Sequence, residues 1–177
     1  EPQLHEQYLW DGTFHWGEWT EPVAKAEDGS RLDPIKTNPM AWFMADKGEV
    51  GTAYLYRSTQ ILADAAAVLG RTGESAKYAA IAERVLDAWR SEFVTDDGRT
   101  VQDTQAAYVR ALSFGLMPES LRPIAAQRLV ELIRDAGTHL GTGFLSTGDL
   151  LPVLADSGHA DVAYDLLFQR TAPSWMY

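Results

Sequence analysis

The chain has 177 residues, no cysteine, and 25 acidic against 15 basic side chains, a formal net charge of −10. That length suits about one domain, and 46% hydrophobic with 23% charged residues is an ordinary globular composition. The negative charge, with no Lys/Arg cluster against it, excludes a nucleic-acid surface. No stretch reaches the roughly 18–20 apolar residues of a membrane span, and the lack of cysteine removes disulfides, thiolate chemistry and cysteine-ligated zinc without fixing a compartment.

The chain opens with Glu1-Pro2-Gln3-Leu4-His5, which is neither an initiator Met nor the basic and apolar start of a signal peptide. The expectation is that something was removed upstream or that the chain is an excised piece. Residues 1–44 carry Pro2, Trp10, Gly12, Trp16, Gly17, Trp19, Pro22, Gly29, Pro34 and Pro39 and sustain no helical period. They read as a long ordered loop, which is uncommon inside a compact domain unless it is functional. Trp10, Trp16 and Trp19 lie within ten residues of one another. Large aromatics gathered in a loop point to a site rather than a core.

From Gly48 the pattern turns helical. Val50, Tyr54, Ile61, Ala65 and Val68 form one apolar stripe, and Leu55, Leu62, Ala66 and Leu69 a second, so this helix is expected to be covered on more than one side. Gly70 supplies the stop and Thr72 the N-cap of a second helix running to about Phe93. Its face is Tyr78, Ile81, Ala82, Val85, Ala88 and Trp89, and Asp96-Asp97-Gly98 is a turn. Further helices follow over roughly Thr104–Phe114, Leu121–Arg134 with Pro123 in its first turn, Thr147–Ala155 and His159–Gln169. A glycine-rich loop, Gly137 to Gly143, separates the middle two. No β-alternating segment of convincing length is present. Six helices joined by short turns make three αα-hairpins, an all-α architecture open to a bundle, a solenoid or a closed toroid. The absence of a fixed-length repeat disfavours the solenoid.

The densest constellation is Gly17-Glu18-Trp19-Thr20-Glu21-Pro22. A Trp ring can stack on the apolar C–H face of a sugar while Glu18 accepts hydrogen bonds from its hydroxyls. Alternatively the rings desolvate Glu18 and make it a general acid, or the tryptophans anchor the loop and Glu18 is a solvated surface residue. Glycoside hydrolysis needs two carboxyl groups about 5–10 Å apart, and nothing in the spacing of Glu18 and Glu21 makes them face one another. Glu74, Glu83, Asp87 and Glu92 fall on solvated helix faces. His5, His15, His139 and His159 show no metal-ligand spacing, so neither a metal nor a cofactor is expected. No G-x-S-x-G elbow occurs. Gly141-Thr142-Gly143-Phe144 lacks the Lys and preceding strand of a phosphate loop, and suits close backbone approach to a ligand or a helix. Trp175, after Pro173-Ser174, is a second aromatic candidate.

Three stretches together resemble the bacterial α-L-rhamnosidases of glycoside hydrolase family 78. They are Phe14-His15-Trp16-Gly17-Glu18-Trp19-Thr20-Glu21-Pro22; Asp103-Thr104-Gln105-Ala106-Ala107-Tyr108 with Phe114-Gly115-Leu116-Met117-Pro118; and Leu140 to Thr147, continuing through Leu150-Leu151-Pro152 to Pro173-Ser174-Trp175-Met176-Tyr177. The resemblance implies an (α/α)6 six-hairpin toroid hydrolysing terminal α-L-rhamnosides with inversion. Residues 1–44 would form its aromatic active-site loop region, and residues 45–177 about three of its hairpins, or half the ring. It further implies that the general acid, a Glu in an Asp/Arg/Glu-rich motif, lies upstream of this chain, and that the general base, in a Trp-Glu motif, lies downstream, so no catalytic residue is assigned here. Trp19 matches the pocket Trp that packs on rhamnose, and Glu18 stands where many members carry Asp. Phe144, Trp175 and His15 are further substrate-binding candidates. The implied partner is a rhamnose-containing glycoside. Half a ring also implies a homo-oligomer of this chain, or dependence on the missing part of the domain, to cover an apolar edge. Two readings remain open beside this one: a helical carbohydrate- or protein-binding module without catalysis, and another toroid enzyme such as a lyase or a different glycosidase.

Overall fold

A computed structural model describes residues 8–10, 15–21, 24–25, 31–32, 40 and 47–177. Much of the expected loop region, with His5, Gly12, Phe14 and Pro22, lies outside the described residues. The described chain is all-α apart from a two-residue antiparallel ladder, β1 (Ala24–Lys25) against β2 (Arg31–Leu32), in which Ala24 faces Leu32 and Lys25 faces Arg31. From residue 47 onward the described residues form six α-helices: α1 (Gly48–Val68), α2 (Thr72–Phe93), α3 (Gln105–Ser113), α4 (Arg122–Asp135), α5 (Thr147–Asp156) and α6 (Ala160–Leu167). They pair α1 with α2, α3 with α4 and α5 with α6 as three αα-hairpins. The chain divides into two compact units, one from Glu1–Gly17 and Asp46–Val94, the other from Glu18–Ala45 and Thr95–Tyr177.

In the first unit, α1 and α2 pack through small residues. Ala53, Ala63 and Ala66 on α1 and Ala82 on α2 are buried, and Val85, Trp89 and Phe93 fill the rest. The expected α2 face is therefore present at Ala82, Val85 and Trp89, continued by Phe93. Inside it, the Trp89 Nε1–H donates to Oε1 of Glu49 at 3.3 Å, in the buried first turn of α1. Trp10 seals the same turn. Its backbone N–H donates to the Thr52 hydroxyl at 2.9 Å, and its ring lies so close to Gly51 that a Cβ there would sit 2.6 Å from Cγ.

Two expectations for this unit change. Neither apolar stripe of α1 is covered along its length by the described residues: Ile61 and Val68 of the first and Leu62 and Leu69 of the second are exposed, and the buried face instead runs through Val50, Ala53, Ala63 and Ala66. Thr72 is the first helical residue rather than the cap. Arg71 occupies the N-cap position without a side-chain cap bond, and its guanidinium instead reaches Glu74 at 3.2 Å. Gly70 does stop α1. With φ at +71° it lets its own N–H bond to Ala67 O and that of Arg71 to Ala66 O, closing the helix end.

In the second unit, α3 is the most enclosed element, with every residue from Gln105 to Leu112 buried, as its Ala-rich sequence allows. Thr104 caps it by accepting the Ala107 N–H at 3.3 Å. A 3-10 turn, Glu119–Leu121, leads into α4, where Pro123 sits in the first turn as expected. Leu129, Ile133, Leu150, Leu154 and Leu166 are fully buried between these helices, each contributing about 1.5–3 kcal/mol of transfer free energy. The Ser113 hydroxyl donates to Asp149 at 2.8 Å and ties α3 to α5.

Candidate functional site

The residues Asp103-Thr104-Gln105-Ala106-Ala107-Tyr108 build a frame. Asp103 enters the left-handed region (φ +44°) and turns its carboxylate back along α3. There Oδ1 accepts from the Tyr108 hydroxyl at 2.8 Å and from Arg128 Nε at 3.0 Å, and Oδ2 accepts from Arg128 Nη2 at 2.8 Å. The Arg128 fork holds the Asp103 carboxyl below its usual range. Burial, and then the hydrogen bond to Asp103, push the Tyr108 phenol up to about 12. Gln105 reads the loop after α4: its amide donates to Leu132 O at 3.3 Å and His139 O at 3.2 Å and accepts the Gly141 N–H at 2.7 Å. The glycine-rich loop is thereby seated on the N-terminal end of α3.

The Gly-Glu-Trp turn meets that loop. Glu18 O accepts the Glu21 N–H at 3.1 Å, and Thr20 at φ +67° completes the reversal. The Glu18 side chain points inward. Its Oε1 accepts the backbone N–H of Ser146 at 2.8 Å, and its Oε2 accepts the Ser146 hydroxyl at 2.8 Å and a hydrogen of Arg110 Nη1. Arg110 also donates to Ser146 Oγ at 3.2 Å. The Arg110 and Glu18 side chains are only 3% and 2% exposed. The solvated alternative for Glu18 is thus incorrect: the residue is buried, and a buried cation on α3 takes the carboxylate. One residue further, Trp19 O accepts the Phe144 N–H at 2.7 Å. The two backbones can come this close because position 143 is glycine. A Cβ there would lie 2.8 Å from Glu21 N, 3.0 Å from Glu18 Cγ and closer still to Trp19 O. Thr147 secures the far side, its hydroxyl donating to Gly143 O at 2.7 Å and lying 2.7 Å from that of Thr142.

Over this buried base Trp19 is 44% and Phe144 73% exposed, so two rings are presented on adjoining segments. Trp175, 41% exposed, belongs to the same unit but lies beyond α6, after the cis Ala172–Pro173 bond. No ring contact or hydrogen bond among the described residues joins it to Trp19 or Phe144. His15 falls in the first unit, where Nδ1 accepts the Gly17 N–H at 3.1 Å and the ring meets Trp10 edge-on at 5.9 Å. The tryptophan cluster of the sequence is thus divided: Trp10 packs on α1, while Trp19 belongs to the second unit. A separate cavity of about 220 Å³ opens between α3, α4 and α5, with Arg122, Asp149 and Asp156 as its charged lining. Among the described residues no group of three or more His, Asp or Glu is arranged to hold a metal ion, and no helix is long and apolar enough to cross a membrane.

Arg110, Ser146 and Gln105 organise the site, and spacing alone did not single them out. The available signal was a charged residue inside the otherwise apolar run Ala106–Leu112, where an unpaired cation would be costly to bury.

The comparisons with known proteins agree on a family. The family model described as bacterial alpha-L-rhamnosidase 6 hairpin glycosidase domain matches residues 2–177. An α-L-rhamnosidase of Streptomyces avermitilis is 48% identical over 131 residues, which are 74% of this chain and 12% of that protein. One of Alteromonas sp. is 35% identical over 164 residues, 92% of this chain and 17% of that protein. The chain therefore spans between about an eighth and a sixth of these relatives. Among solved structures, the Streptomyces avermitilis α-L-rhamnosidase complexed with L-rhamnose superposes with a TM-score of 0.76 at 41% identity, over 92% of this chain and 14% of that one. Native α-L-rhamnosidase from Aspergillus terreus gives 0.82 at 30% identity, over 98% and 19%.

Proposed function

Because the chain belongs to the bacterial α-L-rhamnosidase six-hairpin glycosidase family, we propose that it forms part of an inverting hydrolase that releases terminal α-L-rhamnose from rhamnosides. On this reading it supplies sugar-binding residues, and the catalytic acid and base come from elsewhere in the parent hydrolase. The observation that carries the reading is the pair of exposed rings, Trp19 and Phe144, on a loop base that is otherwise buried. Rhamnose is a 6-deoxy sugar whose methyl group extends its apolar face, and a flat indole offers matching surface without demanding hydrogen bonds. Trp175 and His15 extend the same reading more remotely.

Trp19→Ala in the parent hydrolase is expected to raise KM for an aryl α-L-rhamnoside by about tenfold, the cost of truncating one well-placed aromatic anchor. An unchanged KM would remove Trp19 from the sugar site, and turnover of other glycosides in preference to α-L-rhamnosides would remove the substrate assignment. The isolated chain is expected to show no turnover, and hydrolysis that Glu18→Gln abolishes would contradict this. The exposed Ile61, Leu62 and Val68 of α1 and Leu69 just after it, together with Tyr164 of α6 and Phe168 at its end, support a chain that self-associates or relies on the rest of its domain. Light scattering that returns a well-behaved monomer at high concentration argues against that.

A further inference from the structure

We propose that Glu18, Arg110 and Ser146 are positioning residues, a buried clamp that holds Trp19 and Phe144 as one preassembled pair of rings with fixed spacing. The proposal rests on the reading of Trp19 as a wall of the sugar site. Its argument comes from where the polar atoms go. A surface turn needs no buried ion pair, and removing a carboxylate and a guanidinium from water carries a desolvation cost that an apolar pair of similar shape would avoid. Here both ions are almost wholly buried, and each also bonds Ser146 of the opposite loop. Ser146 is engaged through its backbone N–H by Oε1 of Glu18 and through its hydroxyl by both Oε2 and Arg110. Reading backbone and side chain of the same residue fixes loop register, which a non-directional apolar contact cannot do.

The register matters because the Phe144 N–H to Trp19 O bond lies between the clamp and the two rings. A shift of one residue in either segment would break that bond and change which side chains stand beside each other. Beneath the rings Gly141, Thr142, Gly143 and Ser146 are all buried, so the loop has little room to settle elsewhere. None of the three clamp side chains is placed to touch a ligand, since each is more than nine-tenths buried. Arg110 and Ser146 are therefore expected to act on sugar binding through the rings. Such a base reduces the ordering that binding would otherwise require.

The test uses the parent hydrolase with Arg110→Lys, Ser146→Ala and Trp19→Ala, and each clamp variant combined with Trp19→Ala. Ser146→Ala removes one hydroxyl and carries the test if Arg110→Lys does not fold. KM for an aryl α-L-rhamnoside is expected to rise about three- to tenfold in each clamp variant, the range of one aromatic contact, with kcat changed by less than about twofold. In the Trp19→Ala background the same changes are expected to add less than about twofold. Clamp variants that leave KM unchanged, or whose effects multiply independently of Trp19, overturn the proposal. A second readout needs no sugar: with 5-fluorotryptophan incorporated, the Trp19 fluorine resonance, assigned by its loss in Trp19→Phe, should shift or broaden in both clamp variants. An unmoved resonance in both overturns the clamp whatever the kinetics show. If instead Trp19→Ala leaves KM unaltered while the resonance moves, the clamp stands and the sugar-wall reading fails.

Discussion

Replacing Glu18 by Gln is the most informative single change for stability, because it preserves volume and alters charge alone. The carboxamide can still accept the Ser146 N–H through its oxygen. Its NH2 group, however, then faces Arg110 Nη1, itself a donor, and must compete for the Ser146 hydroxyl. Two charge-assisted hydrogen bonds are lost, at about 1.5–3 kcal/mol each, and a guanidinium only 3% exposed loses the Glu18 carboxylate charge. Breaking a buried ion pair from one side costs about 3–5 kcal/mol, the same range reached bond by bond. For a domain of this length that corresponds to a fall in Tm of roughly 6–20 °C. Thermal unfolding followed by circular dichroism, with urea midpoints as a control, reads the effect. Adding Arg110→Met to Glu18→Gln should recover a large part of the loss, since the buried guanidinium that faced the Glu18 carboxylate is then gone. A fall in Tm below about 2 °C for Glu18→Gln, or a double variant whose loss equals the sum of the two singles, would refute the reasoning: Glu18 would then be solvated and Arg110 paired elsewhere.

Gly143→Ala should destabilise by about 2–3 kcal/mol, the upper range for overpacking, since the added carbon meets backbone at Glu21 and Trp19 rather than a movable side chain; a urea midpoint within error of wild type would contradict the close approach. Gly51→Ala is expected to cost a similar amount, because its Cβ would lie 2.6 Å from the rigid indole of Trp10, and to show a changed near-ultraviolet tryptophan spectrum. With the Tyr108 phenol raised to about 12 in the folded chain against about 10 unfolded, folding retains the proton. The stabilisation is complete below pH about 10 and declines as pH rises from 10 through 12. Tyr108→Phe should abolish that alkaline decline while costing about 1–3 kcal/mol at neutral pH, as the buried Thr100 N–H and Asp103 Oδ1 each lose a partner. At the acid end the Asp103 carboxyl, held low by Arg128, stabilises above pH about 4 and is lost as pH falls through its folded value; Asp103→Asn should flatten this limb in a pH series of urea midpoints.

Local order carried most of the fold. The stop at Gly70, the first-turn Pro123 and the Ala82-Val85-Trp89 face are consequences of nearest-neighbour sterics and the helical period, and each is visible within a few residues of chain. The failures are informative for the same reason. The two stripes of α1 have the right period, but period says only that a face is apolar, not that each residue on it will be covered: Ala66 is buried while Ile61, Leu62, Val68 and Leu69 are exposed. Of the site, the Gly-Glu-Trp turn and the Gly143-Phe144 loop stood out in the sequence because glycine and exposed aromatics are unusual there. What they do to each other did not. Glu18 and Ser146 are 128 positions apart and Glu18 and Arg110 are 92 apart, so no window of sequence contains the pair. Whether a carboxylate in a loop faces water or a buried guanidinium depends on which partner the fold brings within hydrogen-bonding distance. The sequence by itself determined the helices and most of their ends, and it singled out the Gly-Glu-Trp turn and the Gly143-Phe144 loop. Only the tertiary structure turned Glu18 inward and left Trp19 and Phe144 as the exposed pair, because long-range electrostatic pairing is settled by packing and not by propensity.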